Sequence, residues 1–221
     1  MTIWPYETHN FKPWVGKNYF SSELMGMKIL VLGESHYCTS ELKPNGRCYP
    51  FCRNENMKGD CFSQTNDVVS NFVYDYAGEG YLQTFLCFER AVVGKELSQS
   101  EREDFWNGVI FYNYIQFSQS GPRIAPKQEH WAHSEQAFKE LLVEYMPDNI
   151  IAWGARLYGG LPDWGGVGSK LYINETDYTD VWMYTINSKE IPMLKVHHPS
   201  SPSGKSWPYR HEFYKKFLIK K

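Results

Sequence analysis

With 221 residues, 42% of them apolar, the chain is long enough to bury one sizeable core, and no Pro/Gly/Ser-rich linker divides it, so a single domain over 1–221 is expected. Lys and Arg number 23 against 25 Asp and Glu, a formal net charge of −2, which argues against binding nucleic acid with the whole surface because phosphate contacts need a local excess of cations. The start MTIWPYETHN has neither a cationic segment nor an apolar run, and no apolar stretch reaches bilayer length, so a cytoplasmic protein without a membrane partner, and monomeric, is expected.

In chain order, KILVLG (28–33) reads as a short apolar strand ending in Gly, with GESHY as the loop that leaves it. Cys38, Cys48, Cys52 and Cys61 follow in a Gly- and Asn-containing insertion at about 38–61. Thiolates so gathered can hold zinc or an iron–sulfur cluster. Without a secretory signal, free reduced thiols and no cofactor are the leading reading. Val68, Val69, Phe72, Val73 and Tyr76 fall on one helical face, and Ser100 with Glu103 has capping-box spacing ahead of Phe105 and Trp106. FYNYIQF (111–117) is a second strand. A helix is expected after Ser134 through Ala137, Phe138, Leu141, Leu142 and Tyr145, stopped by Pro147. IIAWG (150–154) and MLKVH (193–197) are the third and fourth strands, and VWMYTI (181–186) an additional one near an edge.

Strands apolar on both faces that alternate with helices predict an α/β fold, a three-layer α/β/α sandwich around a mainly parallel sheet of four to five strands. In such sheets, loops at the carboxyl ends of the strands gather at one rim, where ligands bind. Three of these loops carry polar residues: Glu34, Ser35, His36 and Tyr37; Asn113 with Gln116; and His197, His198, Ser200 and Ser201.

The last of these, KVHHPSSPSGKSW (195–207), contains SGKS, the tail of a phosphate-binding loop. That loop needs Gly five residues before the Gly-Lys pair, and position 199 is Pro, so backbone N–H groups cannot form the nest. His-Pro-Ser after a strand fits another pattern. A Gly-Glu-Ser-His-Tyr loop, an Asn-bearing strand, a Gly and helix after the third strand, and a His-Pro-Ser loop, in that order over roughly residues 28–204, resemble the uracil-DNA glycosylase superfamily. Gly33-Glu34 is similar to the branch with a Gly-Glu-Ala-Pro-Gly loop. The segment GPRIAPKQEHWAHSEQAFKELLVEYMPDNIIAWGARL resembles a poorly characterised relative in which a Pro-Asp turn leads into the third strand.

The resemblance implies a uracil-DNA glycosylase-like domain that flips a base out of DNA and hydrolyses its N-glycosidic bond, with DNA as partner in base-excision repair. Such a reaction expels an anionic base while positive charge builds on the sugar. His198 matches the histidine that donates to the leaving base. Asn113 matches the amide that reads the base edge; a carboxamide complements uracil, or cytosine after half a turn, so its neighbours must fix it. Glu34, or His36, would hold the water, and His36 could instead meet phosphate. Tyr37 matches a tyrosine that blocks a thymine methyl, and Gly33 and Ser35 complete the set around the base. Ser35 stands where the best-known pattern has its water-activating Asp, a departure that keeps open a non-catalytic nucleic-acid or nucleotide binder. Ser200, Ser201 and Lys205 are expected at DNA phosphates, with Pro202 and Trp207 as wedges.

Overall fold

The computed structural model describes residues 8–21, 26–37, 62–119, 121, 123–166, 168–201 and 206–219. Their strands are β1 (Trp14–Val15), β2 (Ile29–Tyr37), β3 (Val109–Gln119), β4 (Asn149–Trp153), β5 (Lys170–Tyr172), β6 (Tyr178–Ile186) and β7 (Lys189–Val196). They form a 7-stranded sheet in the order β1-β3-β2-β4-β7-β6-β5. The four motif-bearing strands, β3, β2, β4 and β7, are adjacent and mutually parallel; outside them β1 pairs antiparallel with β3, β6 antiparallel with β7, and β5 antiparallel with β6. The expected four to five strands fall short by β1 and β5, which at 2 and 3 residues are too short to show a period.

Helices α1 (Gln64–Tyr74), α2 (Gln83–Val93), α3 (Gln99–Asn107), α4 (Gln128–Tyr145), α5 (Ala155–Gly160) and α6 (Trp207–Phe217) cover both faces. Strand alternation sorts the core in two. Ile29, Val31, Val109, Phe111, Ile151, Trp153 and Leu194 meet α1, α2, α3 and α6 in one cluster; Leu30, Leu32, Ile110, Tyr112, Ile150, Ala152 and Met193 meet α4 and α5 in the other. Each large apolar side chain so buried contributes about 1.5–3 kcal/mol.

Helix ends correct two expectations. The capping box of α3 is Ser98 with Glu101, two residues ahead of the expected pair, because the motif S-x-x-E occurs twice in SQSERE and the earlier copy starts the helix. Ser134 does not start α4 but lies inside it, where its hydroxyl donates to His130 O (2.8 Å) and accepts from Gln116 N (2.9 Å), tying α4 to β3. Between α2 and α3 an ion pair is buried: Arg102 donates to Glu89 (3.0 Å) and lies over the rings of Phe72 and Tyr76, while Trp106 Nε1 donates to the same carboxylate (3.0 Å). The Pro147-Asp148 turn is fastened to the start of β2, where Lys28 N donates to Asp148 Oδ2 (2.8 Å).

Candidate functional site

GESHY does not leave the sheet as a loop. β2 continues through Tyr37 because β3 is long enough to pair with it, Gly33 opposite Asn113, Ser35 opposite Ile115 and Tyr37 opposite Gln119, with a register shift between Ser35 and Tyr37. An irregularity of this kind re-aims a side chain, and here it turns His36 into the protein, where it is 6% exposed, while Tyr37 faces solvent.

His36 therefore does not stand at a surface where it could meet a phosphate. Its Nε2 lies 2.8 Å from Thr65 Oγ1 in the first turn of α1, its ring packs on Phe11, and burial pushes its pKa down to about 3. The neutral ring contacts Asn113, whose Nδ2 lies 3.3 Å from Nδ1 and 3.1 Å from Nε2. With Nε2–H donating to Thr65, Nδ1 is left to accept from the amide. On the amide's other side, Gly33 supplies space: a Cβ there would lie 2.2 Å from Asn113 Oδ1. Gln116, also in β3, donates to Asn113 O (2.8 Å) and accepts from Asn10 N and Phe11 N, so the segment before β1 is pinned to the same strand. Asn113 is thus a buried amide whose Nδ2 is held by the His36 ring and whose Oδ1 fits only because Gly33 has no side chain, while Gln116 holds its backbone carbonyl.

Glu34 lies one residue beyond the Gly33–Asn113 pairing, in reach of α5. Arg156 grips it along one edge of the guanidinium, Nε to Oε2 (2.7 Å) and Nη2 to Oε1. This bidentate contact is the strong form of such a pair. It also raises the Arg156 pKa. Arg156 was not anticipated. A lone Arg after a strand carries no periodic or spacing signal, and only the Gly154 backbone at φ 98°, which turns the chain from β4 into α5, brings it to the rim.

His198 stands beyond β7, a residue open to solvent whose ring is packed on one side edge-on to Trp153, at 6.2 Å between centroids. Ser200 Oγ lies 2.9 Å from Nδ1; with the hydroxyl donating, Nε2 carries the proton and can donate outward. Loss of solvation lowers the His198 pKa, the Arg210 and Arg156 cations act the same way, and the Glu34 carboxylate opposes them. The imidazole is accordingly a neutral donor at physiological pH. Arg210, buried in α6, shapes the turn by donating to His198 O (3.3 Å), Pro199 O (2.5 Å) and Ser201 O (3.0 Å). Nothing in the sequence around Arg210 marked it for this role.

Of the other expected residues, Ser35 is half-buried in β2 and Tyr37 is 40% exposed. Ser200 is exposed, and Ser201 N donates to His198 O (2.8 Å). Trp207, expected as a wedge, is half-buried at the first position of α6, packed against the core, where Ser206 and Pro208 start a helix. Pro202 and Lys205 lie outside the described residues, as do Cys38, Cys48, Cys52 and Cys61. Among the described residues no three His, Cys, Asp or Glu side chains converge as metal ligands, and no helix is long and apolar enough to cross a membrane.

Two cavities flank the rim. One of about 500 Å³ opens beside Tyr114, Trp131 and Glu135 on the α4 side. The other, about 90 Å³, lies beside the His198 turn, between Lys195, Tyr178 and α6. No family model and no curated protein matches this chain.

Proposed function

We propose that this chain is a monofunctional DNA glycosylase with a uracil-DNA glycosylase-like α/β/α fold, removing uracil or another altered base from DNA. The reading is carried by one observation: the amide of Asn113 is fixed between Gly33 and His36 at a rim where Glu34 and His198 also stand. An amide so held presents a set donor and acceptor to one base edge. The base enters after leaving the helical stack, at a cost of a few kcal/mol that a site of this kind offsets by stacking and hydrogen bonds. The C1′–N bond then breaks with its electron pair on the base, which Nε2–H of His198 stabilises as an anion. Glu34, oriented by Arg156, faces the positive charge on the sugar and holds the water whose oxygen bonds C1′ and whose proton is released. His36 is a positioning residue for Asn113.

A second reading has its own observation. Ser35 supplies no carboxylate, and Glu34 is already engaged by Arg156, an arrangement that also suits a binder of nucleic acid or nucleotide without turnover. Incubation with single- and double-stranded oligonucleotides bearing altered bases, followed by alkali, separates the two. Strand cleavage at the altered base, lost in His198→Asn, supports the glycosylase. A folded protein that leaves the whole panel intact, and binds it equally well as Glu34→Gln, overturns it in favour of the binder.

A further inference from the structure

The 90 Å³ pocket lies on the far side of the His198 turn from Asn113, walled by Lys195, Thr179, Tyr178, Tyr209 and Arg210. Its size suits a phosphate group and not a nucleoside. Arg210 is 8% exposed; both of its terminal nitrogens donate to neutral carbonyl oxygens, its Nε is buried without a partner, and none of the ion pairs among the described residues includes it. Its charge is thus offset by carbonyl dipoles, with no carboxylate in ion-pair contact with it among the described residues. Lys195 Nζ adds a second cation at the wall, shared with Asp180 at 2.8 Å.

The surface that continues from this pocket carries exposed tyrosines with Lys170 and Lys216 beside them, and Asp180 next to Lys195. Tyr178 and Tyr172, each 47% exposed, stand side by side across β5 and β6 with ring centroids 5.3 Å apart. Lys170 Nζ lies 4.1 Å over the Tyr178 ring, and Lys216 holds the strand from below by donating to Tyr172 O (2.9 Å) and Ile173 O (3.1 Å). Large aromatic rings exposed in pairs beside cations are what a single nucleic-acid strand uses, because every base has a face to stack and every linkage a charge. Glu175 and Asp177 lie in the turn between β5 and β6, next to the tyrosine pair.

We propose that the Lys195–Arg210 pocket receives a phosphodiester of a DNA strand and that the Tyr172–Tyr178 pair stacks the nucleotide next to it, forming a strand path that leaves the base site across β6 and β5. The proposal rests on the glycosylase reading for its direction, and its test does not need excision.

The affinity of a labelled, undamaged single-stranded DNA oligonucleotide is measured by fluorescence anisotropy at several salt concentrations. Tyr172→Ala with Tyr178→Ala should weaken binding about ten-fold or more, whereas Tyr178→Phe keeps the ring and should leave it unchanged. Lys195→Met should reduce the slope of log affinity against log salt by about one. Inorganic phosphate should compete with the strand in the unmodified protein and less in Lys195→Met. Affinity unmoved by all of these variants overturns the path, even in a protein that excises bases. Phosphate bound at the pocket while the tyrosine variants hold DNA normally identifies a small-anion site and overturns it as well. A protein that excises nothing and yet loses DNA on tyrosine removal retains the path and loses the glycosylase reading.

Discussion

Gly33 and Asn113 are register partners on β2 and β3, and a Cβ on the former would lie 2.2 Å from Oδ1 of the latter. The glycine is required for close approach, since a side chain cannot share that space with the amide. On the glycosylase reading, Gly33→Ala lowers kcat/KM for the altered base about 100-fold or more while circular dichroism stays unchanged, because the amide is displaced and the strand is not. Excision at the unmodified rate would show that Asn113 does not read the base.

Thr65 orients His36, and His36 orients Asn113. Thr65→Val leaves a buried ring nitrogen unpaired, at about 1–3 kcal/mol of stability. It also frees the amide to turn. Discrimination between uracil and cytosine, measured as a ratio of kcat/KM values, should fall roughly ten-fold. A loss of stability with the ratio intact would confine Thr65 to packing.

Arg156 is half exposed, so Arg156→Gln should change the unfolding free energy by less than about 1 kcal/mol. Its effect on excision should be larger, about ten-fold or more in kcat with KM little changed, because Glu34 loses the contact that aims it. Equal changes in kcat and stability would place the pair outside the chemistry.

His36 and His9 are buried in neutral form, the first held down to about pKa 3 and the second to about 4, both by burial. In the unfolded chain each takes a proton near pH 6.5, whereas the folded protein accepts one only near those lower values. Acid therefore favours unfolding as the pH falls from about 6.5, by up to about 1.4 kcal/mol per pH unit for each histidine, and above pH 6.5 neither contributes. Denaturant midpoints across pH 4–8 should show that slope, and His36→Gln should flatten it.

Arg102→Met leaves Glu89 fully buried without its cation. Burial raises the Glu89 pKa, and the remaining hydrogen bond from Trp106 does not replace a guanidinium. A loss of about 3–5 kcal/mol in urea unfolding is expected. Arg102→Met with Glu89→Leu should recover most of it.

The four parallel strands were legible because each is an apolar run closed by a polar or glycine signal, and their order along the chain already suggested the rim. Burial at the site was not. GESHY looks like a loop in one dimension; only the length of β3 opposite it makes it strand, and only the irregularity before Tyr37 sends His36 inward. Arg156 and Arg210 were invisible for the same reason: each acts on a group more than ten residues away, and nothing local to a lone arginine distinguishes a clamp from a solvated side chain. The two S-x-x-E copies before Phe105 show the limit at a helix end, where a motif is present twice and packing selects one.

Both margins of the sheet are closed by strands of only 2 and 3 residues, Trp14–Val15 and Lys170–Tyr172, the second carrying a lysine. Such stubs offer a neighbouring molecule almost no ladder of unpaired amides to extend. Each stub pairs with only two or three residues of the long strand beside it, so lengthening either one with alternating valines should add an edge along which intermolecular β-assemblies form.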